Sequence, residues 1–239
     1  ILSFQENVYQ CWRYVEMTNI IEFLKSKEAK QKLMELYNLD EQGVEAQVKR
    51  YQDLADAFAA KYPVDNACFF SSPGRIEVIG NHTDHQLGRV IGASTDMDTI
   101  AIVTTRDDNK IHVKSMEYDE FEIDANDFEA KDGDSRTVKL IKGMLEKLAQ
   151  NGRKIGGFNA YMTTTVLSAA GVSSSASFEM LIGAIVNHVY NDGQISTLEI
   201  AKAGQWSENN KWDKKSGLLD QLACATGGMI TIDFANYDN

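Results

Sequence analysis

A run of small residues, Leu167-Ser168-Ala169-Ala170-Gly171-Val172-Ser173-Ser174-Ser175-Ala176, joins two segments of opposite periodicity. Before it, Phe158-Asn159-Ala160-Tyr161-Met162-Thr163 alternates as a half-buried strand does. After it, Phe178, Leu181, Ile182, Ile185 and Val189 fall at helical spacing and predict one apolar stripe. The junction fixes a strand end against a helix start, and three serines open that helix. The first turn of a helix has backbone N–H groups without intrahelical partners, and the macrodipole adds partial positive charge there. Gly and Ala let an anion approach such a backbone closely, so a phosphate suits the place. A serine-rich cap on an ordinary buried helix reads from the same residues.

The other elements follow in order. Residues up to about 62 read as helices. Val44, Val48, Tyr51, Leu54, Ala55, Phe58 and Tyr62 recur at spacings of three and four before Pro63. Leu33, Leu36, Tyr37 and Leu39 give a shorter helix before it, and Trp12 reads as a packing residue. Ala67-Cys68-Phe69-Phe70 is a short strand ending in a turn at Ser71-Ser72-Pro73-Gly74. An apolar strand resumes at Ile76, Val78 and Ile79. Residues 99–105 and 110–115 read as two strands of a hairpin joined across Arg106-Asp107-Asp108-Asn109. Asp134 and Ser135 cap a helix carrying Val138, Ile141, Leu145 and Leu148, which Asn151-Gly152 ends. Ser196-Thr197-Leu198-Glu199 is a capping box opening a helix to about Glu208. A Lys-rich connection and a strand from Met229 to Phe234 complete the chain.

Composition bounds the partners. A net charge of −11 over 239 residues argues against nucleic acid, which needs a basic face. No apolar run approaches the roughly 18 residues of a membrane span. Cys11, Cys68 and Cys224 have neither CxxC spacing nor a disulfide framework, which fits a reducing cytoplasm. The chain starts at Ile1 without Met and stops just after a strand-like segment, so a fragment of a longer protein is expected.

Between two glycines, Gly80-Asn81-His82-Thr83-Asp84-His85-Gln86-Leu87-Gly88 concentrates six polar or ionisable side chains. His82, Asp84 and His85 admit a metal, but no HExxH or Cys/His cluster supplies further ligands. A surface loop making turns is a second reading. A grip on a polyol is the third, and it uses both the donors and the acceptors. The chain has no GxxxxGK[ST] and no GxGxxG, so any nucleotide site must use the serine-opened helix.

Three stretches then carry a resemblance. Pro73-Gly74-Arg75-Ile76-Glu77-Val78-Ile79-Gly80-Asn81-His82-Thr83-Asp84-His85 resembles the galactokinase signature, usually written PGR-V-N-L-I-GEHTDY. The stretch from Val166 to Ala176 resembles the second motif of the wider GHMP kinases. Glu208-Asn209, followed by Gly217-Leu218-Leu219-Asp220-Gln221, resembles the galactokinase segment that supplies a magnesium-binding Glu and a catalytic Asp. The order and approximate spacing are those of the family. Departures are Asn81 for Glu, His85 for Tyr, Leu167 for Pro, Ala169 and Ala170 for Gly, and Lys211 and Asp213 within the usual N-x-F-x-G. The family's third, Gly-rich motif and second lobe have no counterpart before Asn239.

The resemblance implies an α+β fold, the N-terminal lobe of a two-lobed GHMP-type kinase over residues 63–239, after a helical extension over residues 1–62. It implies ATP-dependent phosphorylation of the anomeric hydroxyl of galactose or a related sugar, with a non-catalytic sugar and ATP sensor as the alternative. Residues Ala170, Gly171, Val172, Ser173, Ser174 and Ser175 would cradle the ATP phosphates. Ser175 and Glu208 would hold Mg2+. Asp220 would take the proton of the attacking hydroxyl, and Arg75 would pair with it and stabilise the transferring phosphoryl group. Asn81, His82, Asp84 and Gly217 would orient the sugar. The implied partners are the sugar, ATP and the protein's own missing C-terminal lobe, and the implied location is the cytoplasm.

Overall fold

The strand–loop–helix unit around Gly171 lies at the centre of the architecture. In the computed structural model, which describes residues 20–236, β5 (Gly157–Thr164) leads through that loop into α5 (Ser174–Asn191). β5 belongs to a six-stranded sheet ordered β1-β2-β5-β3-β4. These strands are β1 (Cys68–Ile79), β2 (Arg89–Arg106), β3 (Lys110–Ser115) and β4 (Phe121–Asp124). The pairs are antiparallel except β3 with β5, making the sheet mixed. β6 (Met229–Asp233) pairs with residues 89–93, the first part of β2.

Both faces of the sheet are covered, as the sequence of β2 demands. Ile100, Ala101, Ile102 and Val103 are consecutive and all buried, so apolar side chains leave both faces of one strand. Ala101 and Val103 pack with α4 (Arg136–Gln150), α5, α6 (Thr197–Lys211) and α7 (Leu219–Thr226). Ile100 and Ile102, with Phe69, pack against α1 (Ile20–Leu24), α2 (Lys27–Tyr37) and α3 (Val44–Ala59). A buried polar knot ties this second layer to the sheet. Asp98 accepts from Arg50 at 2.5 Å, the Tyr37 hydroxyl at 2.6 Å and the Ser71 hydroxyl at 2.5 Å. The ion pair and hydroxyls satisfy a carboxylate that would otherwise be costly to bury. Burial pushes the Tyr37 and Tyr51 phenols well above their ordinary range.

The helix starts obey local chemistry. Ser135 caps α4 through Val138 N–H, and Ser196 caps α6 through Glu199 N–H. Glu199 does not reach back to complete the box; its carboxylate takes Arg153 at 2.5 and 2.9 Å.

Three expectations need correction. The two strands flanking Arg106 to Asn109 do not form a hairpin, because β5 inserts between them and pairs with both. Ser71-Ser72-Pro73-Gly74 is not a turn: β1 runs through it, with a register shift between Pro73 and Arg75. α5 presents more than a stripe, since twelve of its residues are buried, Ser175, Ser177, Glu179 and Asn187 among them. The reading of Trp12 falls outside the described residues. Among the described residues, no helix is long and apolar enough to cross a membrane.

Candidate active site

Gly74 lets β1 meet the small-residue loop. A Cβ there would lie 2.8 Å from the Val172 carbonyl oxygen. Next to it, the Arg75 N–H donates to that same carbonyl at 3.1 Å. The Arg75 guanidinium, almost fully buried, donates to the Gly171 carbonyl at 2.7 Å. Its Nε and Nη2 both donate to Oδ1 of Asp220, at 2.8 and 2.6 Å. Asp220 lies in the first turn of α7, where the helix dipole favours a carboxylate. Its other oxygen, Oδ2, accepts the Ser173 hydroxyl at 2.6 Å. Arg75, the loop and Asp220 thus form one connected unit from three distant parts of the chain.

The loop is held in left-handed backbone. Gly171 has φ 77°, Ser173 φ 58° and Ala169 φ 64°. Ala169 stands where the family has glycine, and alanine pays roughly 1–2 kcal/mol in that region. Asp213, another of the glycine replacements, has φ 56°. Ser173 occupies the N-cap position of α5 without capping it. The first amides of α5 therefore face the loop with no side-chain acceptor from Ser173. Ala170 is exposed and Val172 half-buried in this loop; Ser174 and Ser175 begin the helix.

The polar loop after β1 docks through Asp84. Asp84 is buried and accepts from Leu219 N–H at 3.3 Å, immediately before Asp220. Gly217 admits it: a Cβ on Gly217 would sit 1.8 Å from Asp84 Oδ2. His82 is exposed, with its N–H donating to Glu77 Oε1 at 2.7 Å and its ring 3.4 Å from Glu77 Oε2. Asn81 and His85 are exposed, and His85 stands 3.7 Å from Asp84.

Glu208 is fully buried at the other side of α7. It accepts from Lys214 at 2.8 and 2.9 Å, from Gln221 at 3.2 Å and from the Ser216 hydroxyl. No hydrogen bond links it to Ser175. Gln221, next to Asp220, also donates to Glu179 at 3.2 Å. Burial, then the Glu208 charge, raises the Glu179 carboxyl well above its ordinary range. This buried cluster was not legible in the sequence, because Glu179 and Lys214 read as ordinary polar helix and loop residues. Beside the helix start lies a cavity of about 640 Å³. Ser174, Ser175, Phe178, Arg136, Tyr118 and Phe121 are among its lining residues. Only the distant chain positions of Tyr118 and Arg136 kept it from view in the sequence.

Residues 56–105 match the galactokinase galactose-binding signature, and residues 139–228 match the GHMP kinases N terminal domain. The chain is similar to the galactokinase of Limosilactobacillus fermentum, at 36% identity over 74% of this chain and 46% of the relative. It is also similar to the galactokinase of Lactobacillus helveticus, at 39% identity over 66% of this chain and 42% of the relative. Among solved structures, Lactococcus lactis galactokinase complexed with galactose superposes with a TM-score of 0.73 and 32% identity. That superposition covers 78% of this chain and 50% of the other. The Methanococcus jannaschii mevalonate kinase shares the fold, with a TM-score of 0.59 over 70% of this chain and 54% of the other, at 17% identity. The chain spans about half the length of the curated relatives it matches.

Proposed function

The chain belongs to the galactokinase family of GHMP kinases, and from that premise we propose that it supplies the substrate-binding lobe of a sugar 1-kinase acting on galactose or a close relative with ATP. The observation that carries this reading is the Arg75–Asp220 pair set beside the serine-opened helix. Phosphoryl transfer needs positioning and charge stabilisation more than covalent chemistry. Asp220 is the proposed base, taking the proton of the attacking anomeric hydroxyl. Arg75 holds that carboxylate through two N–H groups on one oxygen, and Ser173 orients the other. The same guanidinium is the proposed electrostatic support for the transferring group.

The residues Ala170, Gly171, Val172, Ser173, Ser174 and Ser175 are the proposed phosphate cradle. The neighbouring cavity offers aromatic and apolar walls for the base of the nucleotide, with Arg136 at its edge. Asn81, His82, Asp84 and Gly217 are the proposed sugar contacts. Asp84 is the best anchored of them, through Leu219. Mg2+ fits the donor types, since Ser175 and Glu208 offer hard oxygens. When bound there it would offset charge on the phosphates.

Residues 63–239 are proposed as the lobe that binds sugar and phosphate, with residues 1–62 as a helical extension whose described part packs on the sheet. The rest of a two-lobed kinase is the proposed partner of the exposed end of the sheet around Ile76, Val78 and Met229, and the cytoplasm is the proposed location.

The test is Asp220→Asn in the full-length protein. Calorimetric binding of galactose and ATP should survive while sugar-dependent ADP release falls by about 10²- to 10⁴-fold. Turnover at the parent rate removes Asp220 from this role. Binding of both ligands without any turnover in the parent protein supports the sensor reading instead.

A further inference from the structure

The cation on Glu208 is the ammonium of Lys214, and it engages both carboxylate oxygens, at 2.8 and 2.9 Å. Glu208 itself cannot move aside. It is fully buried, and Gln221 and the Ser216 hydroxyl fix one of its oxygens. Lys214 is held differently. Its side chain is 38% exposed, its backbone N–H donates to the Glu208 carbonyl at 3.1 Å, and Asp213 makes the turn with left-handed φ. The anchored end is therefore the backbone, while the ammonium sits on a flexible four-carbon stem with a route to solvent. Its resting place is beside the Trp212 ring, 5.3 Å from the centroid, with the Arg136 guanidinium over that ring at 3.4 Å.

The surroundings explain why a cation must always be present. Glu179 lies across Gln221 from Glu208, equally buried, and each of Glu179 and Gln221 has an oxygen with no hydrogen-bond partner. A fully buried Glu208 carboxylate would be costly without a positive charge beside it. A divalent ion and an ammonium cannot share the same two oxygens, because both are positive and would stand a few ångströms apart.

We propose that Lys214 is a built-in competitor of the divalent ion at Glu208. Its ammonium neutralises the buried carboxylate in the resting protein and swings toward solvent when the ion binds. This rests on Glu208 being a metal ligand, as read above. Lys214 is then a positioning residue that sets how much metal the site requires.

Mn2+ binding, read by the loss of the free-ion electron paramagnetic resonance signal, tests this in the full-length protein. The titration compares wild type, Lys214→Met, Lys214→Arg and Glu208→Gln, each first checked for a cooperative melt. Lys214→Met should bind Mn2+ about tenfold more tightly, the factor expected if the open carboxylate is a one-in-ten minor state. Lys214→Arg should bind more weakly than wild type, because a planar fork holds a carboxylate more firmly. Equal or weaker binding by Lys214→Met, with loss of binding in Glu208→Gln, overturns the competitor role and leaves Glu208 as a ligand. Unchanged binding in Glu208→Gln overturns both readings. If Lys214→Met fails to melt cooperatively, Lys214→Arg decides: weaker binding supports the proposal, and binding equal to wild type overturns it.

Discussion

Ser173 gives its hydroxyl to Asp220, at 2.6 Å, and not to the amides of the helix it precedes. A serine at an N-cap normally accepts from the second or third amide, and losing that bond costs typically ~1 kcal/mol. Here the left-handed backbone of Ser173 turns the side chain across to α7, linking the loop to the proposed base. Removing the hydroxyl should therefore leave stability nearly untouched and disturb the geometry of Asp220. Ser173→Ala should melt within about a degree or two of the parent, well short of the shift a lost cap produces. Its kcat should fall while KM for galactose holds. A large drop in melting temperature with unchanged kcat would mean that Ser173 serves the helix.

Asn81 sits in left-handed backbone at φ 50° in the exposed loop that Asp84 anchors. Asparagine tolerates that region better than most residues. A hydrogen bond between an amide and a hydroxyl is weaker than one that a carboxylate accepts from that hydroxyl. Asn81→Glu should thus sharpen discrimination of galactose over a 6-deoxy analogue, at a small cost in stability from the backbone. The ratio of kcat/KM values for the two sugars checks this. Equal ratios in parent and variant count against a sugar-facing Asn81.

Glu179 provides a pH test of the buried cluster. Its carboxyl is raised well above the ordinary 4.5, by burial first and by Glu208 second. The folded chain then keeps a proton that the unfolded chain releases as pH rises past 4.5. Stability from this group is full below that point and is lost as pH climbs toward the raised value. Glutamine does not titrate. Subtracting Glu179→Gln from the parent should give a stability difference that turns against the parent as pH rises from the ordinary 4.5 toward the raised value. Urea midpoints at both ends of that range measure it, and a difference that does not change with pH would show that Glu179 is solvated.

How far the sequence reached depended on whether the signal was local. Arg75 and Asp220 lie 145 residues apart, and each stood in a recognisable stretch, so the pair could be anticipated before the geometry joined them. The caps at Ser135 and Ser196 were legible because their chemistry acts within three residues. The strand after Asn109 was legible but its partner was not. Four residues between two apolar runs predict a hairpin, whereas β5, some fifty residues further on, takes the position between them. Pairing at such separation leaves no trace in a short window. The alternative reading of the serines as a helix cap fails at Ser173 for the opposite reason: the local preference is strong, and a tertiary partner takes the hydroxyl. The Glu179–Gln221–Glu208–Lys214 cluster stayed hidden because charged residues on helices are usually solvated, and only packing of three helices removes the water.

The sheet edge bears on what the chain can do alone. In register across β1, β2 and β6 stand Ile76, Ala93 and Met229, with Ile76 46% and Met229 60% exposed. Val78, two residues along β1 from Ile76, is exposed to a similar degree. Alternation along a strand puts Ile76 and Val78 on one face, so the patch is contiguous there. Soluble monomers rarely leave such faces bare. Arg75, the residue before Ile76 on β1, carries the pair with Asp220 and meets the phosphate loop through its N–H bond to Val172. Electrostatic support of a transferring phosphoryl group depends on a water-excluded, preorganised site. Residues 1–239 on their own should therefore release no sugar-dependent ADP, retain weak phosphate binding at the α5 amides, and self-associate through the Ile76–Met229 face. Activity and solution mass, measured beside the full-length protein, check each part. Ile76→Lys should reduce the self-association without restoring turnover. A monomeric 239-residue chain with near-full activity would place the chemistry elsewhere than Asp220.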